Sequence, residues 1–562
     1  MASSEVSDHS DDQRLSKTVF CVKAKVECQY LGQPRKRGLR AGYVTELESR
    51  IESLQGQFDA LKNSLTSTPV VTTSATPSLI IEPQQQFHLP EISPAANSFP
   101  RKPINGTSRH LAERNGAVAD LMSLPSSYFH TLADFWFKED HNWLPILEYE
   151  RIQASLAELP DTVDYIPDVV LRAVIALKIE YSSQAISLGY KGRRRLSLHL
   201  RSEVLTEAMA NPSLSSIQAL FIIALLDFGS DNIPSTFNIM SMCRRTGEHI
   251  GIFRQLLQRI EAQSPHQVGP PSRETFTSGN SQVAQTWGIL AFDAASSLGV
   301  SWQDKTAALI DHLSGIAYVT APDFRDSFVT HVHLAAIGLQ PVHDFFLSFA
   351  RGRHQVLEGE TMTATEDIYH NSMSYIRGMP TSGYTILADG AVDFDINHIF
   401  TRLLAHAAVI MIYQRYVLDN ENQNIQLARD RCMESYHQII DVVRNMSDAD
   451  TEINSPAFAH FVAQAIRFRL ALERGTGFAR EAVFDILMHA INMCARRWPL
   501  ARRLDVVFRA ALAEIDSQAP LGLPEEFWDL KKSTHDISES LKTWVNTNKE
   551  LLWLRNLNGP YA

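Results

Sequence analysis

The sequence has few cysteines and no long apolar run, and each absence excludes a class of protein. Five cysteines are scattered over 562 residues, which excludes a small secreted domain held by disulfides. The most apolar runs, at 219–226 and 407–412, are far shorter than the roughly 18 residues that indicate a membrane span. The first residues contain neither the basic nor the apolar part of a secretory signal. We therefore expect a soluble, intracellular protein with free thiols and no membrane partner.

Motifs of common catalytic and metal sites are also missing. The sequence contains no HExxH, GxSxG, P-loop or dinucleotide-binding pattern. Residues 393–398 resemble the start of a calcium loop, but His398 stands where the turn needs Gly and Leu404 where the loop needs Glu. His331 and His333 would face one metal only in a strand, and their surroundings predict a helix. We predict that the protein is not an enzyme and keep an all-α enzyme as a remote alternative.

Length and composition indicate a folded protein of more than one part. A single hydrophobic core stops growing at about 250–300 residues, so 562 residues predict several packed units or one large helical array with tails. Apolar residues make up 44% of the chain and charged residues 20%, which excludes disorder throughout. The chain carries a net charge of −11. Because nucleic acid is also negatively charged, any contact with it must come from a local basic patch.

Such a patch lies at 14–40, after a polar tail at 1–13 that we expect to be disordered. Eight basic residues face one acidic residue there, so the segment carries +7 and the rest of the chain must carry −18 to reach the total of −11. We predict that this run contacts the DNA backbone, directs nuclear import, or does both, with a solvated surface as the alternative. The residues concerned are Lys23, Lys25, Arg35, Lys36, Arg37 and Arg40.

A heptad pattern follows the basic run at 43–65. Seven apolar residues alternate at spacings of three and four, which is the a/d seam of a short two-stranded coiled coil. Gly56 weakens the helix by roughly 1 kcal/mol relative to Ala. We predict a homodimer or heterodimer through this seam, and the alternative is one amphipathic helix packed on its own domain. The seam residues are Val44, Leu47, Ile51, Leu54, Phe58, Leu61 and Leu65.

The remaining chain divides into a linker and a helical body. Residues 66–118 predict a disordered linker, because seven prolines and few charges fall within 66–105. Residues 119–562 show helical periodicity and little strand-like alternation, which predicts an all-α, irregular multi-helix domain. Ser213 is a candidate N-cap, and the run 219–226 is apolar on every side, as in a fully buried helix. Further helices are expected near 126–138, 167–181, 286–299, 329–351, 366–377, 396–419, 425–445, 456–473, 479–497, 502–516 and 525–557.

Several reactive side chains in this body have structural explanations. Cys243, Cys432 and Cys494 fall within helical patterns, where a thiol is usually a small buried apolar group. The basic cluster at 191–195 predicts a solvated segment before a helix, with a phosphate or partner contact as the alternative. Trp528, Trp544 and Trp553 lie in helical patterns too, which favours core packing over an activation tail.

Two cysteines precede the basic run in an order typical of one family. Six residues separate Cys21 from Cys28, Tyr30 follows, and the basic linker and the heptad opening on Tyr43 come next. This order resembles the C-terminal half of the fungal six-cysteine binuclear zinc-cluster DNA-binding domain. The resemblance implies zinc ligands at Cys21 and Cys28, a linker along the DNA phosphates, and DNA binding as a dimer.

The helical body resembles the middle homology region of the same fungal transcription factors. The similarity covers 15–65 and 120–310 well, and the remaining residues only through their helical pattern. The matching segments are 129–137 with 141–147, 213–220 with 229–232 and 245–251, and 287–293 with Asp293 at its end. The resemblance implies a regulatory domain in the nucleus that senses a small-molecule effector.

The zinc ligands are incomplete in this sequence. The family pattern needs Cys-x2-Cys-x6-Cys twice, yet Thr18 stands at the expected fourth position and no cysteine precedes Cys21. Two thiolates cannot hold two tetrahedral zinc ions. We predict a nuclear transcription regulator, in particular a pathway-specific activator of a metabolic or biosynthetic gene cluster, that binds DNA as a dimer if its N-terminus is complete. The alternative is a truncated relative that acts through protein contacts.

Overall fold

The computed structural model of the chain describes most of its C-terminal four-fifths. The described residues are 106–181, 188–252, 288–289, 292–296, 327–350, 358–377, 379, 384–386, 392–419, 424–517 and 521–548. All of them belong to one compact unit, 101–562. Apart from one pair of three-residue strands, the regular structure within these ranges is helical, so the prediction of an all-α domain is confirmed.

The N-terminal half of the described body is a set of helices around one buried helix. They are α1 (Gly106–Met122), α2 (Ser126–Phe135), a first π-helix (Trp136–Asp140), α3 (Tyr149–Ala157), α4 (Val169–Tyr181), α5 (Gly189–Ala210), α6 (Leu214–Gly229) and α7 (Ile233–Ile250). Helix α6 packs against α4, α5 and α7. Its residues from Ser216 to Gly229 are all buried, as the apolar run at 219–226 predicts.

The C-terminal half continues with helices and one short strand pair. Its elements are α8 (Ser327–His333), a second π-helix (Leu334–Gly338), α9 (Gln340–Ala350), α10 (Glu358–Ile376), β1 (Tyr384–Ile386), β2 (Val392–Phe394), α11 (Ile396–Tyr413), a 3-10 turn (Gln414–Tyr416), α12 (Ile425–Arg444), α13 (Asp448–Ile453), α14 (Pro456–Thr476), α15 (Phe484–Arg497), α16 (Pro499–Ser517), α17 (Glu525–Trp528) and α18 (Ser538–Thr547). The two strands are antiparallel, and Thr385 is opposite Asp393. Residues 288–289 and 292–296 are helical as well.

Two further buried helices form the centre of this half. Helix α11 packs against α8, α10, α12 and α14, and α14 also packs against α15 and α16. Helix α11 is apolar enough and, with the turn after it, long enough to cross a membrane (Ile396–Tyr416), but 94% of its most apolar stretch is buried by the rest of the protein. Such burial is what the core helix of a globular domain shows.

The two halves are joined where α6 meets α14 and α16. The turn between α6 and α7 contains Asp231, whose φ of 64° is uncommon for a residue other than Gly. The Asp231 carboxylate lies 2.7 Å from Nη2 of Arg503 in α16, and Lys542 in α18 donates a hydrogen bond of 3.0 Å to its carbonyl. These contacts fix the turn against the C-terminal helices.

Side-chain caps set several helix starts. Ser213 Oγ accepts a hydrogen bond of 3.1 Å from the N–H of Ser216, so the predicted N-cap is confirmed. Asp395 caps α11 by accepting from the N–H groups of Asn397 and His398. The segment that resembles a calcium loop is therefore the end of β2 and the start of a helix.

The helical body begins earlier than the sequence analysis predicts. Helix α1 starts at Gly106, inside the predicted linker 66–118. Its residues Ala117 and Leu121 are buried, and Asp120 accepts two hydrogen bonds of 2.8 Å from Arg195 in α5. Proline content predicts the linker only as far as residue 105, and no proline lies between 103 and 125 to stop a helix. The linker as far as residue 105 lies outside the described residues.

Candidate functional site

A cavity opens where the two halves of the body meet near Trp143. About 300 Å³ of space there is not filled by protein atoms, a volume that includes the open solvent at the mouth. Its walls come from the loop after the first π-helix, from residues 292–295, and from α8, α11 and the start of α14. The lining residues are Trp143, Phe292, Ala295, His331, Phe400, Ser455, Ala457 and Phe461.

Aromatic rings form most of this wall. The Trp143 ring centroid lies 6.0 Å from that of Phe292, and the two rings are tilted. It lies 5.7 Å from that of Phe400, and this pair is edge-to-face. The ring of Phe221 in the buried helix α6 packs edge-to-face on that of Phe292, with the centroids 6.1 Å apart. These separations are those of favourable aromatic pairs. The wall is therefore a packed aromatic surface that offers ring faces and edges.

His331 is the only titratable side chain in the described lining. It is 6% exposed, and its Nδ1 atom has no hydrogen-bond partner among the described residues. Burial lowers the pKa of His331 to about 4, although the negative charge of Asp395 acts in the opposite direction. The imidazole is therefore neutral at pH 7, and one buried polar atom is available to a bound group.

The loop that carries Trp143 is held at two points. Asn397 at the start of α11 donates a hydrogen bond of 2.9 Å to the carbonyl of Asn142. Gln218 in α6 donates one of 2.7 Å to the carbonyl of Ile146. Both bonds join residues far apart in the chain, so the position of Trp143 depends on both halves of the body.

A buried ion pair holds the wall formed by residues 292–295. Arg244 in α7 forms a bidentate contact with Asp293, with distances of 2.6 and 2.9 Å, and both side chains are buried. This geometry is that of a strong, directional guanidinium–carboxylate pair. Asp293, which ends one of the segments that carry the family resemblance, therefore positions this wall of the cavity.

Both π-helices lie next to lining residues in the chain. The first ends at Asp140, three residues before Trp143, and the second begins at Leu334, three residues after His331. Such segments often occur near functional sites. In the second, Gly338 has no room for a β-carbon, which would lie 2.7 Å from the ring of Tyr375. The Tyr375 hydroxyl in turn lies 3.0 Å from Nδ1 of His333.

Other candidate sites of the sequence carry no metal chemistry in the structure. His331 and His333 lie on a helix, and burial lowers the pKa of both to about 4. Within the described ranges, no group of three or more His, Cys, Asp or Glu residues is placed to hold a metal ion. The 191–195 cluster is the start of α5, where Arg194 faces Glu180 at 3.5 Å and Arg195 pairs with Asp120.

The three cysteines of the body are buried, as predicted. Cys243, Cys432 and Cys494 are free thiols in helices α7, α12 and α15. Burial raises the pKa of each thiol above its ordinary value. They therefore cannot supply the further thiolates that a zinc cluster would need beside Cys21 and Cys28. The donor set of this chain does not fit a binuclear zinc cluster.

Trp528 and Trp544 are also buried, in α17 and α18, which confirms the prediction of core packing for these two. Trp553 lies outside the described residues.

The predicted ligand, DNA-backbone and dimer residues all lie outside the described residues. They are Cys21 and Cys28; Lys23, Lys25, Arg35, Lys36, Arg37 and Arg40; and Val44, Leu47, Ile51, Leu54, Phe58, Leu61 and Leu65. The structure therefore tests none of these three sets, and they remain predictions. The sequence alone does not predict the aromatic cavity. Its residues come from separate helices, and no spacing along the chain marks them.

Comparison with known proteins gives one informative similarity. The chain is similar to the notoamide biosynthesis cluster transcriptional coactivator notQ' of Aspergillus versicolor, with 22% identity over 511 residues. The alignment covers 85% of this chain and 92% of that protein. No protein-family profile matches the chain, and no solved structure does. The relative is a transcriptional coactivator and not an enzyme, which agrees with the prediction of a non-enzymatic regulator.

Proposed function

We propose that this protein is a nuclear transcription regulator of a biosynthetic gene cluster and acts as a coactivator through protein contacts. The observation that carries the proposal is the similarity to a cluster coactivator over most of both chains. An alignment of 511 residues extends far beyond a DNA-binding module, so it concerns the large helical body. Regulation by a small-molecule effector bound in that body is part of the proposal.

The cysteine content supports a coactivator over a protein that reads DNA by itself. A binuclear cluster needs six thiolates, and this sequence has Cys21 and Cys28 near its basic run. The other three cysteines are buried in the helical body. Because the metal folds such a module, an incomplete ligand set leaves it without a stable reading surface.

The partner in this proposal is a second chain that pairs along the heptad 43–65. A complete zinc-cluster protein is the natural partner, since its own coiled coil presents the same kind of a/d seam. A second copy of this chain is the other. In both cases the basic residues at 35–40 would strengthen the complex by contacting DNA phosphates without reading sequence.

A second candidate function is direct DNA binding as a zinc-cluster dimer. It is supported by the net charge of +7 at 14–40 in an otherwise acidic chain, and by the adjacent heptad. The two candidates differ in sequence specificity. A coactivator alone gives weak, salt-sensitive binding to any DNA, whereas a dimeric reader prefers its own sites by a factor of about 10³ or more.

The proposal is tested by replacing Leu54 with Lys in the full chain. A charge on the seam should abolish pairing along 43–65, so both self-association in ultracentrifugation and transcription of the gene cluster should fall. Ser53→Lys is the matched control, because it adds the same charge next to the seam position without entering the a/d series. Cluster transcripts in a strain carrying each variant report the function.

Gel-shift measurements with cluster promoter DNA separate the two candidates. The coactivator proposal expects the full chain to bind promoter and unrelated DNA equally, with an affinity that falls as salt rises. Tight binding to one promoter sequence would establish the zinc-cluster reader instead. Unchanged cluster transcription on deletion of the gene, or on Leu54→Lys, would contradict the coactivator proposal.

A further inference from the structure

Helix α5 presents an apolar row to solvent. It buries its inner side against α1, α4 and α6, through residues spaced four apart from Gly192 to Ala208. On the outer side, Leu198 and Met209 are 51% and 62% exposed, and Leu205 is partly buried. The outer side of a surface helix usually carries polar and charged residues. Solvent exposure alone therefore does not account for this row.

The row has the spacing of a helix-packing seam. Positions 198, 202, 205 and 209 are separated by four, three and four residues, and Ser202 is the one polar member. At about 100° per residue, these positions fall within about 60° of one another around the helix, and they extend for about 16 Å along it. Alternating spacings of three and four residues are those of side chains that meet a second helix packed alongside. The row therefore has the form of a contact for a helix.

A basic group lies at the N-terminal end of the same outer side. Lys191, Arg194 and Arg195 come one to two turns before Leu198. Arg194 and Arg195 pair with carboxylates of α4 and α1 at 3.5 and 2.6 Å, yet their side chains stay 49% and 43% exposed. Lys191 is exposed and forms no ion pair with a described residue. These cations are therefore accessible to a partner. The α5 face consists of this basic group and the row.

Buried contacts hold α5 in place behind this face. Arg201 donates two hydrogen bonds, of 2.7 and 2.6 Å, to Asp227 in α6. Ser197 donates one of 2.8 Å to a carbonyl of α4, and Arg172 of α4 donates one of 2.5 Å to Glu207. The helix is thus fixed along its length, which lowers the cost of ordering it when a partner binds.

The row and the basic group together indicate the kind of partner. A DNA backbone would engage the cations but would leave Leu198 and Met209 without an apolar partner. A helix with an apolar side and adjacent carboxylates matches both features at once. We propose that the α5 face binds an acidic amphipathic helix of a partner protein, with its apolar side along the row and its carboxylates at the basic group.

This inference rests on the proposed function and deepens it. A coactivator that acts through protein contacts needs a surface for its partner, and the proposed pairing along 43–65 uses the N-terminal segment. The α5 face gives the helical body a contact surface of its own. It also assigns the chemistry of the partner, which is apolar on one side and negatively charged beside it.

Fluorescence anisotropy of labelled synthetic peptides on the full chain tests the α5 face. The acidic peptide has three heptads with Leu at a and d, Glu at e and g, and Ala and Gln elsewhere, and the like charges at e and g keep it from pairing with itself. The polar peptide has Gln in place of every Leu. We expect the acidic peptide to bind one-to-one, with an affinity that falls as salt rises, and the polar peptide to bind at least about tenfold more weakly.

Substitutions in the row locate the bound peptide. Leu198→Gln and Met209→Gln each remove one apolar contact and should weaken the acidic peptide by about three- to tenfold, and the double variant by more than about tenfold. Phe478→Gln is the matched control, because Phe478 is 64% exposed on the loop after α14 and lies outside the α5 face. We expect it to bind like the unchanged protein. Met209→Gln carries the test alone if Leu198→Gln does not fold.

A charge reversal tests the basic group. Lys191→Glu should weaken the acidic peptide by about threefold or more at low salt and by less at high salt, because an exposed charge is screened. Lys531→Glu reverses an exposed lysine in the C-terminal half and should leave the affinity unchanged. Lys191 is preferred to Arg194, whose loss would remove a cation from the partly buried Glu180.

Specific outcomes would overturn the inference. They are no binding of the acidic peptide, equal binding of the acidic and polar peptides, or full affinity in the double row variant. Loss of peptide binding in Leu54→Lys would assign the peptide to the heptad 43–65 instead. Weaker binding of a short DNA duplex to Lys191→Glu, with unchanged peptide binding, would make the α5 face a nucleic-acid contact.

Two further results separate the α5 face from other contacts of the chain. Self-association that Leu198→Gln abolishes in ultracentrifugation would make the face a contact between two copies and would overturn the inference. The peptide titration uses neither promoter DNA nor a partner chain. Absence of peptide binding would therefore remove this surface while the coactivator role still stood.

Discussion

Trp498 shows how a single side chain joins the two halves of this protein. It is fully buried, and its indole N–H donates a hydrogen bond of 2.7 Å to the carbonyl of Asn454. Its ring centroid lies 4.5 Å from that of Tyr181 at the end of α4. The same ring covers Gly229, the last residue of α6. A glycine is therefore needed at position 229, because the Trp498 ring occupies the space that a side chain would take.

Replacing Gly229 with Ala tests this packing. The added β-carbon would lie 2.3 Å from Cε3 of Trp498, and a buried ring cannot move aside as a flexible chain end can. We expect the free energy of unfolding to fall by about 1–3 kcal/mol, the usual cost of overpacking a core. Urea unfolding followed by circular dichroism measures the change.

Gly116→Ala provides the control for this substitution. Gly116 also lies within a helix, but its added β-carbon would meet Arg195 Nε at 3.2 Å, in a side chain that is partly exposed and can shift. Alanine favours a helix over glycine by about 1 kcal/mol, so we expect this variant to be no less stable than the unchanged protein. Equal stability of the two variants would contradict the role given to Gly229.

At the scale of elements, the first π-helix is fixed by buried charges. Lys178 in α4 lies 2.8 Å from Glu139 and also pairs with Asp140, and Arg497 in α15 lies 2.8 Å from Glu139. Burial raises the pKa of Glu139, but the positive charges of Lys178 and Arg497 outweigh it and hold that pKa below its ordinary value. The π-helix thus connects α4 to α15, three residues before the cavity residue Trp143.

The Lys178→Met substitution should be strongly destabilising. It leaves the Asp140 carboxylate, which is 1% exposed, without its cation, and an uncompensated buried charge costs about 3–5 kcal/mol. The double variant Lys178→Met/Asp140→Leu should recover much of this loss, because it removes both charges. A double-mutant cycle from urea unfolding gives the coupling energy, and additive losses would contradict the ion pair.

Local sequence rules predict individual helices well and the site poorly. The N-cap at Ser213 and the burial of α6 follow from residue type and spacing alone. The two π-helices do not, since they depend on partners such as Lys178 and Tyr375 that the fold brings from elsewhere. The cavity residues extend from Trp143 to Phe461, so only tertiary packing places them together.

At the scale of the whole molecule, the concentrated positive charge and most of the residues lie in different segments of the chain. The basic run and the heptad occupy 14–65, and the acidic remainder includes the helical body. Helical periodicity along the chain predicts the all-α class, which the structure confirms. It placed the start of the body too late, since the packing of α1 on α5 depends on Asp120 and Arg195, which are 75 residues apart.

Buried neutral histidines give the folded body a dependence on pH. Burial lowers the pKa of His331, His333 and His535 to about 4 and that of His406 to about 3. His460 is stacked on His535, and burial lowers its pKa as well. In the unfolded chain each histidine has a pKa of about 6.5. Below that pH the unfolded state binds protons that the folded state does not.

The contribution of these histidines to the free energy of unfolding should therefore be fully present above about pH 6.5 and should fall as the pH is lowered toward 4. His406 gives the sharpest test. Burial lowers the pKa of His406, and the positive charge of Arg402 lowers it further. At about pH 5–6 the unfolded chain therefore carries about one more proton on this residue than the folded protein does. Such a difference changes the free energy of unfolding by about 1.4 kcal/mol per pH unit. We expect His406→Gln to reduce the loss of unfolding free energy between pH 6 and pH 5 by about 1 kcal/mol in urea titrations. His249→Gln, at an exposed position in α7, should leave that loss unchanged. An equal loss in the unchanged protein and His406→Gln would show that His406 is already protonated in the folded body.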